Sequence, residues 1–206
     1  METIQLSADP YNLIITGVGG QGNVLASRVI GDILSQSGLF VTIGETFGAS
    51  QRGGSVMSHL RISSKGSRSP QIPKGSAHMI IALEPVEGLR VLKEYGNPDV
   101  HVLCNTRPIQ PIGVICGEQS YPSAENIEDW IKKLSSKAWF IETADAALKM
   151  GNPILGNIMS VGALAATKVL PIEKKRFLKV LQEKMPAKTI ELNMQAFEMG
   201  MQMIND

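Results

Sequence analysis

Leu13-Ile14-Ile15-Thr16-Gly17-Val18-Gly19-Gly20-Gln21-Gly22 is an apolar run that stops at a glycine turn, and it leads into the amphipathic segment Asn23 to Ser37. That order predicts a strand, a tight turn and a helix start. Gly17, Gly19 and Gly22 meet the spacing of a dinucleotide-type fingerprint. In such a turn the missing side chains let backbone N–H groups approach a phosphate, and the helix N-terminus adds partial positive charge. Glycine turns also join buried strands to helices with no ligand involved, so the neighbouring segments have to decide between the two readings.

Ser37-Gly38 ends the helix, and Leu39 to Ile43 predicts a second strand ending at Gly44-Glu45, which completes a βαβ unit. Ser55 to Ile62 has strand character, with a turn at Lys65-Gly66 and a Ser/Pro/Gly-rich surface loop to Gly75. His78 to Leu83 predicts a buried strand, Pro85 to Tyr95 a helix closed by Gly96-Asn97-Pro98, and Val100 to Cys104 a further strand. Pro108 and Pro111 mark an irregular connection before Ile112 to Ile115; Ser123 then caps a helix over Ala124 to Leu134, and Ala138 to Ile141 predicts a strand. From Thr143 onward only helices are expected, separated by Gly151-Asn152-Pro153, Pro171 and Pro186. In the last of these Ile190, Met194, Phe197, Met201 and Ile204 share one face, as a core stripe or an adaptable interface would. The fold class is therefore α/β: Rossmann-like, a mostly parallel sheet flanked by helices, with a helical C-terminal part. No linker or repeat divides residues 1–206, which are expected to form a single domain.

With 43% hydrophobic residues, 19% charged residues and a net charge of +1, the chain has the composition of a globular protein and no bulk attraction for nucleic acid. Met1 to Pro10 lacks a basic, apolar leader, and no run of about 18 apolar residues occurs, so a cytoplasmic protein without a membrane partner is expected. Cys104 and Cys116 fit neither a redox pair nor a zinc knuckle and are expected to be buried. A cubane iron–sulfur cluster takes about four thiolates, which two cysteines do not supply. His59, His78 and His101 stand without readable acid partners, so no catalytic residue is assigned. His59 and Arg61, on alternate positions of a strand, share a face and are expected to be structural.

A second glycine-rich segment, Glu45-Thr46-Phe47-Gly48-Ala49-Ser50-Gln51-Arg52-Gly53-Gly54-Ser55, begins where the second strand is expected to end. That is the edge at which open α/β sheets bind ligands, so it should lie beside the first glycine turn. Its glycines allow close backbone approach, Arg52 offers a planar fork of donors, and Ser50 and Ser55 add hydroxyls. Glu45 follows Gly22 by 23 residues, near the place of a ribose-binding acid; because it opens directly into the Gly/Arg segment, pairing with Arg52 or contact with a partner is the other reading.

Several segments together resemble the gamma subunits of 2-oxoacid:ferredoxin oxidoreductases: Gly17 to Gly22; Gln51-Arg52-Gly53-Gly54 with Ser55-Val56 and Ser58-His59-Leu60-Arg61; and Ala82-Leu83-Glu84-Pro85 with Glu87-Gly88-Leu89-Arg90. Gly156-Asn157, Gly162-Ala163-Leu164, Asn193, Ala196-Phe197 and Gly200 extend the likeness over nearly the whole chain. Within the family it looks most like the small beta subunit of indolepyruvate oxidoreductases. The resemblance implies an enzyme that converts a 2-oxoacid, coenzyme A and oxidised ferredoxin to an acyl-coenzyme A, carbon dioxide and reduced ferredoxin. It implies thiamine diphosphate, magnesium and iron–sulfur clusters on larger catalytic partner subunits and none on this chain alone. On that view Gly17, Gly19, Gly20, Gln21, Gly22, Glu45, Ser50, Gln51, Arg52, Gly53 and Gly54 form a surface shared with the partner, close to cofactor or coenzyme A. A self-sufficient NAD(P)-dependent oxidoreductase, suggested by the three glycines and Glu45, and a non-catalytic nucleotide-binding module are the other readings.

Overall fold

The computed structural model describes residues 5–48 and 54–204. The chain runs β1 (Tyr11–Val18), α1 (Asn23–Gln36), β2 (Phe40–Phe47), β3 (Ser55–Ser63), β4 (Met79–Ala82), α2 (Pro85–Tyr95) and β5 (His101–Asn105). It continues through α3 (Ile112–Ile115), α4 (Ala124–Leu134), β6 (Lys137–Ile141), α5 (Thr143–Lys149), α6 (Leu155–Thr167), α7 (Lys174–Lys184) and α8 (Ala187–Gln202). The strands form one sheet in the order β2-β3-β1-β4-β5-β6.

Five of these strands point the same way, and β3 alone runs against them, antiparallel to both β1 and β2. The sheet is thus mostly parallel, and the βαβ unit of β1, α1 and β2 holds with a reversed strand between its two parallel members. β2 also runs longer than its apolar run suggests: Thr46 and Phe47 pair with Met57 and Val56, so Glu45 lies inside the strand rather than at its end. Cross-strand pairing with β3 carries β2 past Gly44, where the apolar alternation stops.

Every residue of β1 is buried, because helices cover both faces of the sheet. On one face Leu13, Ile15, Met79, Ile81 and Leu103 pack with α1, α6, α7 and α8; on the other Ile14, Ile80, Val102 and Cys104 meet α2 and α4. Alternate residues of each strand divide between the two layers, as a pleated strand requires. Local capping fixes the helix starts: Ser123 Oγ accepts from the Asn126 amide at α4, and the Glu84 carboxylate accepts from the Glu87 amide at α2, with Pro85 in the first turn.

Residues from Thr143 on are helical among the described residues. The apolar stripe of α8 packs on the core, with Phe197 stacked on Phe177 at 4.2 Å between ring centres. Its fully buried line also includes Ala196 and Gly200, which seat α8 against α6. Cys104 is buried as expected, but Cys116 is exposed, because α3 is a single turn with no buried residue. His59 is buried, its Nδ1 accepting from the Ile72 amide, while Arg61 is held by Asn12 and Ser69; both serve the architecture around β3.

Candidate functional site

The glycine turn ends β1 at the C-terminal edge of the sheet. Much of its geometry is set from inside the protein. Gln21 folds back so that its Oε1 accepts from the Val18 amide (2.8 Å) and its Nε2 donates to the Leu83 carbonyl (2.8 Å), tying the turn to the end of β4. A side chain at Gly17 would run into that Gln21 carbonyl. Gly22, at φ +88°, is the residue before α1, and a side chain there would strike the Asn157 amide. The amides of Gly19 and Gln21 are occupied by the carbonyls of Gly54 (2.9 Å) and Val18 (3.2 Å). What faces outward among the described residues is Gly20 and the first turn of α1, which has neither a side-chain cap nor an acidic residue. Such an end favours an anion.

The Gly19 to Gly54 bond places the end of the second glycine segment on the first, as its position in the sequence predicts. Ser50, Gln51, Arg52 and Gly53 lie outside the described residues. Glu45 is not brought to the turn: it pairs with Ser58, which pairs in turn with Ile15, so the whole width of β3 lies between. Strands about 4.8 Å apart put Glu45 roughly 10 Å from β1. A dinucleotide site needs its acid on the strand next to the glycine turn, and this sheet puts β3 there.

Two hollows flank the turn. One, of about 280 Å³, lies toward β2 and β3 and is bounded by Gly20, Gly22, Asn23, Phe47 and Met57. The other is a cleft of about 400 Å³ above the ends of β1, β4 and β5, lined by Gly19 to Gln21, Leu83, Asn105, Arg107 and Asn157. Asn105 is fully engaged: its Oδ1 accepts from the Thr143 hydroxyl and Ala144 amide, and its Nδ2 donates to the carbonyls of Leu83 and Arg107. Asn157 is not. Its Nδ2 donates to the Gly22 carbonyl at 3.4 Å, while its Oδ1, on a residue only 2% exposed, has no partner among the described residues. Arg107 stands half-exposed at the rim, paired with Asp145.

Asn105 and Arg107 were not legible as site residues, since one asparagine and one arginine after a strand carry no spacing signal. Asn157 stood in a segment that carried the family likeness. Beneath the same edge Glu84, 2% exposed, accepts from the Tyr121 hydroxyl and the Ile109 amide, so it pins the connection from β5 to α4. Burial and the Glu84 carboxylate both push the Tyr121 hydroxyl far above the usual phenol range, which keeps it a donor. Among the described residues no group of three or more His, Cys, Asp or Glu could hold a metal ion.

The glycine turn is closed by its own glutamine, asparagines gather at the edge beside it, and β3 stands where a dinucleotide site has its acid, so the described residues form an α/β layer without dinucleotide-site geometry. The chain belongs to the pyruvate ferredoxin/flavodoxin oxidoreductase family, whose profile it matches over residues 12–203. It is 35% identical to an indolepyruvate oxidoreductase subunit IorB of Thermococcus kodakarensis over 92% of this chain and 94% of that one. A subunit of the same name from Archaeoglobus fulgidus is 36% identical over 92% of each chain. In fold it resembles the gamma subunit of a keto/oxoacid ferredoxin oxidoreductase from Geobacter sulfurreducens (TM-score 0.67, 21% identity, 95% and 98% of the two chains). It also matches a 2-oxoglutarate:ferredoxin oxidoreductase from Magnetococcus marinus, solved with 2-oxoglutarate, coenzyme A and succinyl-CoA bound (TM-score 0.72, 19% identity); there the match takes up 97% of this chain and 32% of the other. The chain is accordingly a gamma-type subunit of a 2-oxoacid:ferredoxin oxidoreductase, working with larger catalytic subunits. No described helix is long and apolar enough to cross a membrane.

Proposed function

We propose that this subunit completes an indolepyruvate-type oxidoreductase of the cytoplasm by presenting its two glycine segments to the larger subunit, beside the coenzyme A that accepts the acyl group. Thiamine diphosphate, magnesium and the iron–sulfur clusters sit on the partner, from which electrons pass to ferredoxin. The residues of this chain do not fit a cubane cluster: two cysteines, one of them buried, cannot supply about four thiolates. The role left to this chain is binding. Gly20 and the uncapped first turn of α1 suit the coenzyme's diphosphate, and Arg52 of the second glycine segment is the cation proposed to pair with it.

The observation that supports this reading is the Gly19 to Gly54 hydrogen bond, which joins the end of the second glycine segment to the first. Co-purification from native extract tests it. A larger iron–sulfur chain should accompany this one, and the complex should reduce a dye when given an aryl 2-oxoacid and coenzyme A. Recovery of the chain without such a partner would sink the reading. Arg52→Ala should leave the fold intact and raise the KM for coenzyme A about tenfold, the loss of one charge-assisted contact.

A further inference from the structure

β2 closes one side of the sheet and β6 the other, and the two edges are built differently. β6 is five residues long and opens on Lys137, so brevity and charge protect it from further pairing. β2 is eight residues long, holds no lysine, arginine or proline, and exposes Phe40 and Phe47. Glu45 is its one charged residue. Natural proteins cover an edge of this kind, because its row of unpaired backbone groups templates another strand.

The inner ladder of β2 decides which groups that edge offers. The Gly48 amide donates to the Ser55 carbonyl (2.9 Å), continuing the register of β2 on β3. Bonded pairs alternate along an antiparallel ladder, so Phe40, Thr42, Gly44 and Thr46 turn their amides and carbonyls toward β3. Val41, Ile43, Glu45 and Phe47 turn theirs outward, where no backbone group among the described residues meets them.

A second copy of β2 complements this row. A two-fold axis through Gly44 sets Val41 opposite Phe47 of the second copy and Ile43 opposite its Glu45, and all four are outward-bonding positions, so the new ladder closes. The same register sets Thr42 opposite Thr46 and Phe40 opposite Gly48. Aromatic against β-branched, threonine against threonine and aromatic against glycine are all favourable cross-strand pairs. An axis through Glu45 would instead set two carboxylates face to face, and one through Ile43 would carry Phe47 past the end of the other strand. Val41 and Ile43 share with Leu25 and Arg28 a hollow of about 510 Å³ beside α1. There Phe47 of the second copy meets apolar side chains, and its Glu45 meets a guanidinium.

We propose that two copies of this chain join along β2, antiparallel about a two-fold axis at Gly44, into one continuous sheet running through both six-stranded halves. The hydrogen bonds of this contact run sideways from the strand, whereas the glycine turn lies beyond the C-terminal ends of the strands. The inference is therefore independent of the functional reading above.

Sedimentation equilibrium of the full chain tests it, and should give twice the monomer mass at micromolar concentration. Glu45→Pro removes an outward amide and no bond to β3, a change that edge strands tolerate, and should raise the dissociation constant at least tenfold. Cross-linking reads the register separately. With Cys116→Ser removing the exposed thiol, Thr42→Cys with Thr46→Cys should give a disulfide-linked dimer under mild oxidation, and neither single cysteine should. Opposite Cα atoms in a non-bonded pair lie about 4.5 Å apart, within disulfide reach, while positions 42 and 42, or 42 and 46 of one strand, lie about 13 Å apart. A monomeric chain, a dimer indifferent to Glu45→Pro, or paired cysteines that link no better than single ones would each overturn the inference and leave the functional reading standing. A chain that is monomeric alone, and in which Glu45→Pro weakens only the complex with the larger subunit, would give the edge to that subunit and overturn self-pairing too.

Discussion

Both ends of the Gln21 side chain are bonded within the protein, one to the amide that ends β1 and one to the carbonyl that ends β4. Gln21→Ala leaves the Val18 amide without its partner, while the Leu83 carbonyl keeps its bond from Asn105. The expected loss is about 1–2 kcal/mol in urea unfolding, the cost of an orphaned donor. Gln21→Glu keeps the acceptor and should recover part of it. The same residue shows why the fingerprint spacing was only half informative. Gly17 and Gly22 are required by Gln21 and Asn157 as neighbours, and a glycine needed for internal packing cannot be told in sequence from one needed for a phosphate.

Helix α6 is buried along its length up to Ala165 and crosses α8 where each offers a glycine to the other's backbone: a side chain at Gly162 would strike the Phe197 carbonyl, and one at Gly200 the Met159 carbonyl. Because backbone sits on the far side of both contacts, neither can give way. Gly162→Ala should cost about 3 kcal/mol in denaturant titration, near the upper end for overpacking, and Gly200→Ala about as much. The double variant should cost less than their sum, since one separation of the helices relieves both clashes. Elements whose ends are set locally were legible in sequence: α2 and α4 begin at Glu84 and Ser123 as their caps dictate. The direction of β3 was not, because Ser55 to Ser63 has the same apolar pattern whether it pairs parallel or antiparallel. The insertion of β3 between β1 and β2, rather than its direction, moved Glu45 away from the turn and removed the dinucleotide geometry.

Across the whole molecule, burial holds His59, His78 and His101 below the ordinary histidine range of about 6.5, with Lys137 adding to the effect at His101. The unfolded chain therefore takes up protons near pH 6.5 that the folded chain refuses, so stability is full above that pH and is lost as pH falls toward the folded values. Melting temperatures recorded from pH 8 to pH 5 should drop below pH 6.5, and His78→Gln, which removes one of the three, should flatten the drop. Asp9 adds a later step: the hydroxyls of Ser63 and Ser64 hold its carboxyl down at about 2, so its contribution is present above about 3.8 and disappears as pH falls through about 2. The central place of β1 bears on synthesis as well as on stability. Its neighbours in the sheet are β3 and β4, so β1, synthesised before both, has no pairing surface until residues 55–82 have followed it. At about 5–20 residues per second that leaves a strand destined for full burial unpaired for several seconds, a window in which nascent-chain chaperones would bind and in which chains stalled before β4 would aggregate.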